Sequence, residues 1–203
     1  MKKLIITLIL LIGCHALPSF SQTDVLNGFV FIKGGTILCG DGLTDPNRKK
    51  VRIEDFEMLD HPVTNAEYKK FVDETGYKPP LHWKNRQIPA GKDDYPVIFV
   101  NRTDVDQFLQ WISKKEGRVY KLPTTSQFEY ASRGGLKDKK YPWGDDDPKG
   151  KANYDIQNNR KFDRWQDYLQ PARSNKPNGY GLYNMAGNVW HLTINLLDPA
   201  VTP

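Results

Sequence analysis

Cysteine is almost absent from this chain: 203 residues contain two, Cys14 and Cys39. That excludes a disulfide framework of the kind that staples small exported domains. Histidine is equally scarce, with four residues at positions 15, 61, 82 and 191, and no two stand at the spacing of a helical His-x-x-x-His metal motif. No long hydrophobic run occurs either, because the apolar stretch from Leu4 to Ile12 is too short for a membrane span. Neither sign of charge dominates: 29 Lys and Arg face 24 Asp and Glu, interleaved along the chain. Such a surface is mildly basic and solvated, which excludes a nucleic-acid stripe. The densest basic spots, Arg48 to Lys50 and Lys137 to Lys140, read as loops rather than phosphate sites. Internal repeats, low-complexity tracts and an interdomain linker are lacking, so the length predicts one domain.

The beginning of the chain reads as an export leader. Lys2 and Lys3 precede the apolar stretch, and Ser19-Phe20-Ser21 before Gln22 has the small-x-small pattern of signal-peptidase cleavage. Residues 1–21 are therefore expected to be a signal peptide and 22–203 the mature domain, exported to the periplasm or secreted. Leu11-Ile12-Gly13-Cys14 also reads as a lipobox, the alternative being a lipoprotein anchored through Cys14. Cleavage after Ser21 removes two lysines, taking the formal charge from +5 to +3, and leaves Cys39 as the single cysteine. No transmembrane helix is expected to remain.

Three helices are predicted from their starts. Thr64-Asn65-Ala66-Glu67 is a capping box, followed by Tyr68, Phe71 and Val72 at helical spacing and by Gly76 as the stop. A second helix begins near Thr103-Asp104, with Val105, Phe108, Leu109 and Ile112 on one side and Gly117 at its end. The third runs from the Thr124 to Gln127 box through Phe128 and Ala131 to Gly134. Strands are predicted at Gly28 to Lys33, Thr36 to Leu38, Val51 to Ile53 and Val97 to Val100. Between Tyr141 and Gly179 nothing is periodic. A loop that long needs buried aromatics or a bound ion to order it, and Tyr141, Trp143, Tyr154, Phe162, Trp165 and Tyr168 supply the aromatics.

The most informative segment is Pro177-Asn178-Gly179-Tyr180-Gly181-Leu182-Tyr183-Asn184-Met185-Ala186-Gly187-Asn188-Val189-Trp190. Its Gly and Asn residues tolerate positive φ and predict successive tight turns, with Tyr180, Leu182, Tyr183, Met185 and Trp190 as anchors. This run, together with Lys121-Leu122-Pro123-Thr124 through Gly135, Tyr141-Pro142-Trp143-Gly144, Pro62 to Tyr68 and Phe31 to Gly40, resembles the formylglycine-generating enzyme, or sulfatase-modifying factor, family. The resemblance implies an α+β fold related to the C-type lectin fold, loop-rich with few regular elements. It departs from the family at Trp190-His191-Leu192, where relatives read Trp-Glu-Trp, and the family's C-terminal strands are missing. The stretch from His191 to Pro203 is accordingly expected to be an unpaired tail.

The family binds structural calcium, a hard cation that takes oxygen ligands. Carried over residue by residue, a first site uses Asn153, the carbonyl of Tyr154, Asp163 and the carbonyl of Trp165, with Asp167 as the alternative acid. A second uses Asn184 and the carbonyls of Gly187 and Val189, with His191 where relatives have Glu, a substitution that weakens it. Asp145 to Asp147 read as a solvated turn, His61 and His82 as surface or loop histidines, and Cys39 as a small buried hydrophobe. The family's oxidation of a sulfatase cysteine needs a pair of thiolates to hold copper; with one mature cysteine, copper is not expected and no catalytic residue is assigned. The resulting expectation is a noncatalytic envelope domain that binds a protein or glycan and no nucleic acid. The alternatives are a fragment of a formylglycine-generating oxidase and a scaffold of an export or gliding complex.

Overall fold

The computed structural model describes residues 6–8, 11–12, 24–40, 48–154 and 166–194. Eleven elements follow in order: β1 (Ile6–Leu8), β2 (Leu11–Ile12), β3 (Phe29–Ile32), β4 (Gly35–Cys39), β5 (Lys49–Ile53), β6 (Phe56–Leu59), α1 (Asn65–Thr75), α2 (Arg102–Glu116), β7 (Tyr120–Lys121), α3 (Thr125–Ser132) and β8 (Trp190–Leu192) among the described residues.

The helices form where their caps dictate. Thr64 Oγ1 accepts from the Glu67 amide at 3.2 Å while Glu67 Oε2 accepts from the Thr64 amide at 2.7 Å, and Gly76 closes α1 at φ 71°. The second helix starts earlier than Thr103-Asp104 suggested. Asn101 is its cap, exchanging bonds with Asp104 at 3.1 and 2.9 Å. Thr124 and Gln127 make the third box. Tyr68 and Phe71 of α1 face Phe108 of α2 with ring centroids 5.4 and 5.7 Å apart, in a core that also holds Val72, Val105 and Ile112. A second core lies between the β4–β5 hairpin, β6 and α3, around Ile32, Ile37, Phe56, Met58 and Leu182.

A four-stranded sheet runs in the order β3-β6-β2-β7, and β1 pairs in parallel with β8. Its central strand, β6, escapes sequence reading because Phe56, Met58 and Leu59 are all buried, so its pattern does not alternate. Conversely, Val97 to Val100 is not a strand. Val97 donates one bond to Val63 O at 2.9 Å, and Phe99 at φ 59° then breaks any ladder. Two strands, β1 and β2, form inside the stretch expected to be a leader, and β2 fills the place between β6 and β7. No described helix is long and apolar enough to cross a membrane.

The expected unpaired tail is corrected as far as Ile194. β8 is paired, Ile194 N donates to Pro123 O at 2.9 Å, and Thr125 N donates to Ile194 O at 3.0 Å, so the α3 cap supplies the partners that sequence periodicity did not reveal. Leu192 and Ile194 pack against the first core. Residues 195–203 lie outside the described residues.

The pairing predicts a measurable difference between the full chain and one begun at Gln22. Amide exchange in the full chain should protect Ile194 and the Met58 and Tyr120 strands; loss of β1 and β2 should speed exchange at Met58 and Tyr120 and lower Tm. Identical exchange in both proteins would show that the N-terminal strands contribute nothing to the fold.

Candidate ion-binding loops and a buried charge network

The glycine- and asparagine-rich turns gather into one knot. Asn184 and Asn188 take φ of 52° and 65°, conformations that Asn tolerates better than most residues. Asn153 Nδ2 donates to Tyr168 O at 2.7 Å and to Asn188 Oδ1 at 2.9 Å, while the Asn188 amide donates to Asn153 O at 2.7 Å. Asn188 also exchanges bonds with the backbone of Gln170, at 2.9 and 3.0 Å. Gly187 is required here by close approach: a Cβ would lie 2.7 Å from the Asn153 carbonyl oxygen. The structure thus brings Asn153, Tyr154, Gly187 and Val189 to one place. Asn188, which joins them, went unassigned in the sequence because an Asn between Gly and Val looks like one more turn residue.

Asn184 is buried beside this knot. Its Nδ2 donates to the carbonyls of Pro171 and Ala172 at 3.1 and 2.8 Å, and its Oδ1 accepts from Ser174 Oγ at 3.1 Å. Its own carbonyl accepts from His191 Nε2 at 3.1 Å, and the Gly187 carbonyl accepts from the Val189 amide at 2.8 Å. Burial pushes the His191 imidazole down to about 4, so it is neutral at pH 7, with Nδ1 sealed from solvent and unpartnered. These residues do not fit a calcium ion at the second position. Asn184 Oδ1 and the Asn184 and Gly187 carbonyls already receive O–H or N–H donors, and His191 brings no negative charge. The first position retains a donor set of the right kind in buried Asn153 and the Tyr154 carbonyl; its other members, Asp163 and Trp165, lie outside the described residues.

A second polar centre lies at the start of α1. His61 lies in the loop between β6 and α1, as one of the two expected placements had it, but is fully buried rather than at the surface, with Nδ1 2.5 Å from Asp60 Oδ1 and Nε2 3.1 Å from Glu67 Oε1. The reason is the capping box itself, which turns Glu67 back under the preceding residues. Arg173 forks onto Asp60, with Nε 3.1 Å from both carboxylate oxygens and Nη2 2.8 Å from Oδ1. Gly28, at φ 98°, permits this approach: a Cβ there would sit 2.6 Å from Arg173 Nη2. Burial opposes each charge, but hydrogen bonds outweigh it. Asp60 is held below its ordinary value by His61 and Arg173, Glu67 is held low chiefly by His61, and His61 is raised by Asp60 and Glu67. His82, expected at the surface or in a loop, lies in a turn and is half-buried, and burial takes its imidazole down to about 4. Asp145 to Asp147 are exposed, as a solvated turn requires.

With the fold and these loops in view, the relatives can be placed. The sulfatase-modifying factor enzyme 1-like domain matches residues 15–202. The chain belongs to this family. It is 28% identical over 229 residues to the formylglycine-generating enzyme of Thermomonospora curvata, covering 86% of this chain and 73% of that enzyme. It is 29% identical over 245 residues to the inactive C-alpha-formylglycine-generating enzyme 2 of Mus musculus, covering 96% and 77%. The mouse formylglycine-generating enzyme is 30% identical over 193 residues, covering 71% of this chain. The chain spans 50% of the length of that enzyme and of its bovine counterpart. Among solved structures, CarF superposes with a TM-score of 0.65 at 19% identity, covering 81% of this chain and 78% of CarF. PvdO from Pseudomonas aeruginosa superposes with a TM-score of 0.60 at 23% identity, covering 77% and 66%. These likenesses establish the sulfatase-modifying factor fold: α+β, loop-rich and poor in regular elements.

The charge network makes stability depend on pH from both sides. His61, raised above 6.5, contributes stability that is complete below that value and is lost as pH rises through its elevated folded-state value. Asp60 and Glu67, held low, contribute stability that is present above the ordinary carboxylate range and lost as pH falls through their depressed values. Urea unfolding should therefore show an alkaline loss in the parent that His61→Leu abolishes. That variant should be destabilised by about 3–5 kcal/mol near pH 6, the usual cost of removing one partner from a buried pair. An unchanged alkaline slope would show that His61 is neutral in the fold.

Proposed function

We propose that this sulfatase-modifying-factor domain is exported, lacks formylglycine-generating activity, and serves as a binding or structural component of the cell envelope. The observation that carries this reading is the state of its cysteine. Cys39 lies at the end of β4, where burial raises its thiol despite a bond from Ser126, and no second cysteine stands with it among the described residues. Beyond it the chain offers only Cys14, within the expected leader. Two thiolates are what the family's copper chemistry requires. Similarity over 96% of this chain and 77% of a mouse relative named as inactive supports the reading. A second reading, a fragment of a formylglycine-generating oxidase, draws on comparable identity to the Thermomonospora curvata enzyme. The partner in the first reading is an envelope protein or glycan.

Incubated with a cysteine peptide of sulfatase type, copper and oxygen, the purified chain should yield no formylglycine above an enzyme-free control. Aldehyde product seen by mass spectrometry would overturn the noncatalytic reading in favour of the oxidase.

A structural calcium ion at the first loop position belongs to the same proposal. Asn153 and the carbonyls of Tyr154 and Trp165 would hold it with Asp163, supplying oxygen ligands of the kind a hard cation takes. Calcium at one hundred times its Kd should add about 2.7 kcal/mol, read as a rise in Tm, and Asp163→Ala should remove it. A Tm indifferent to calcium in the parent leaves the loop ordered by aromatic packing, such as the Tyr141–Trp143 stack at 4.9 Å.

A further inference from the structure

The two basic spots that look like separate loops in the sequence converge on one cavity. It has a volume of about 520 Å³ and is bounded by the β4–β5 hairpin, the end of α3 and the turn that follows. Arg48 and Lys50 enter from β5 and the residue before it, Arg133 from the α3 C-cap and Lys137 from the turn, and among the described residues Asp138 is the lining carboxylate.

We infer that this cavity binds a sugar-sized acidic ligand, a saccharide carrying a carboxylate, sulfate or phosphate group. Arg133 gives one Nη2 bond to Glu129 at 2.5 Å, but its Nε is buried without a partner. An unsatisfied buried donor on a charged group is unfavourable, and an oxyanion would satisfy it. Arg48, its side chain only 12% exposed, donates to the Leu38 carbonyl at 3.1 Å and stands 3.6 Å from Asp138. That separation is too long for a good hydrogen bond, and Asp138 is 73% exposed, so the Arg48–Asp138 pair is weak. The planar guanidinium fork suits carboxylate, sulfate and phosphate alike, while the exposed Lys50 and Lys137 attract charge from solution.

The remaining wall is aromatic, which separates a saccharide from a bare ion. Tyr130 and Tyr180 both line the cavity and stack at 6.1 Å and 28°. Tyr130 is fixed by its hydroxyl bond to Lys33 O at 3.0 Å. Flat apolar surface beside a few convergent polar groups is the usual make-up of a small-molecule site, and the volume falls within the range of about 300–1,000 Å³ for such sites.

The inference names the ligand class for the binding role proposed above and rests on that role. Calorimetry on the full chain would compare glucose, glucuronate, glucose 6-phosphate, glucose 6-sulfate and inorganic phosphate. The acidic sugars should bind at least about tenfold more tightly than glucose or inorganic phosphate, and lose affinity with added salt. Lys50→Gln combined with Lys137→Gln should weaken them about tenfold without moving Tm, and Arg133→Gln should weaken them further. Equal binding of glucose and acidic sugars, tighter binding of phosphate alone, or affinity unmoved by the double variant would overturn the inference. An isolated envelope fraction retained equally by the parent and the double variant would overturn it while leaving the binding role intact. Formylglycine production alongside selective acidic-sugar binding would instead overturn the noncatalytic role and leave the cavity standing.

Discussion

Placing His61 between two carboxylates is the constraint around which the described fold is arranged. Asp60 ends the central strand β6, Glu67 belongs to the first turn of α1, and Arg173 comes from the far loop, so one buried cluster of charges ties sheet, helix and loop together. Backbone contacts follow the same path, since the Asp60 amide donates to Gly28 O at 2.9 Å and the Tyr183 amide to Asp60 O at 2.7 Å. The capping box therefore has two duties. Glu67 satisfies the amide at the start of α1 with one oxygen and neutralises a buried imidazolium with the other. Removing His61 strands two largely buried carboxylates, which is why such clusters cost more to break than they give in net stability.

Away from this cluster, side-chain amides take over from secondary structure. Asn153, Asn178, Asn184 and Asn188 each bond to backbone groups of a different segment, binding turns that have no ladder of their own. A carboxamide both donates and accepts, so one residue can satisfy a carbonyl and an amide at once. At Asn184 the arrangement is complete without a cation, because neutral His191 occupies the place from which a carboxylate would draw one. Loops held in this way need no regular elements to be ordered.

How far the sequence revealed this depended on the range of the interaction. Capping boxes at Thr64 and Thr124 and the glycine stops at Gly76 and Gly117 are local, and they were legible almost to the residue. The α+β family fold was legible through the ordered succession of short motifs. What escaped was non-local. Nothing beside His61 in the chain announces Glu67 folding back over it, and nothing beside Arg173 announces Asp60. β6 was hidden by being buried on both faces, and Val97 to Val100 misled because its apolar run carries a left-handed Phe99. Of the candidate calcium ligands, Asn153, Tyr154, Asn184, Gly187 and Val189 were brought into one region. Even so, the direction of each hydrogen bond, which decides whether oxygens face an ion or an N–H, has no signature in residue spacing.

The place of Leu11–Ile12 between β6 and β7 sets an order of events as well as an architecture. The other flank of that slot, Tyr120–Lys121, is synthesised only after two helices, so the slot cannot exist until more than half of the chain has emerged. Closing a loop that long costs entropy before any contact offsets it, and such pairings form late. Until then the apolar start of the chain remains open to whatever recognises it first. Occupation of the slot by Leu11–Ile12 is thus a late event, decided by the speed of synthesis and folding.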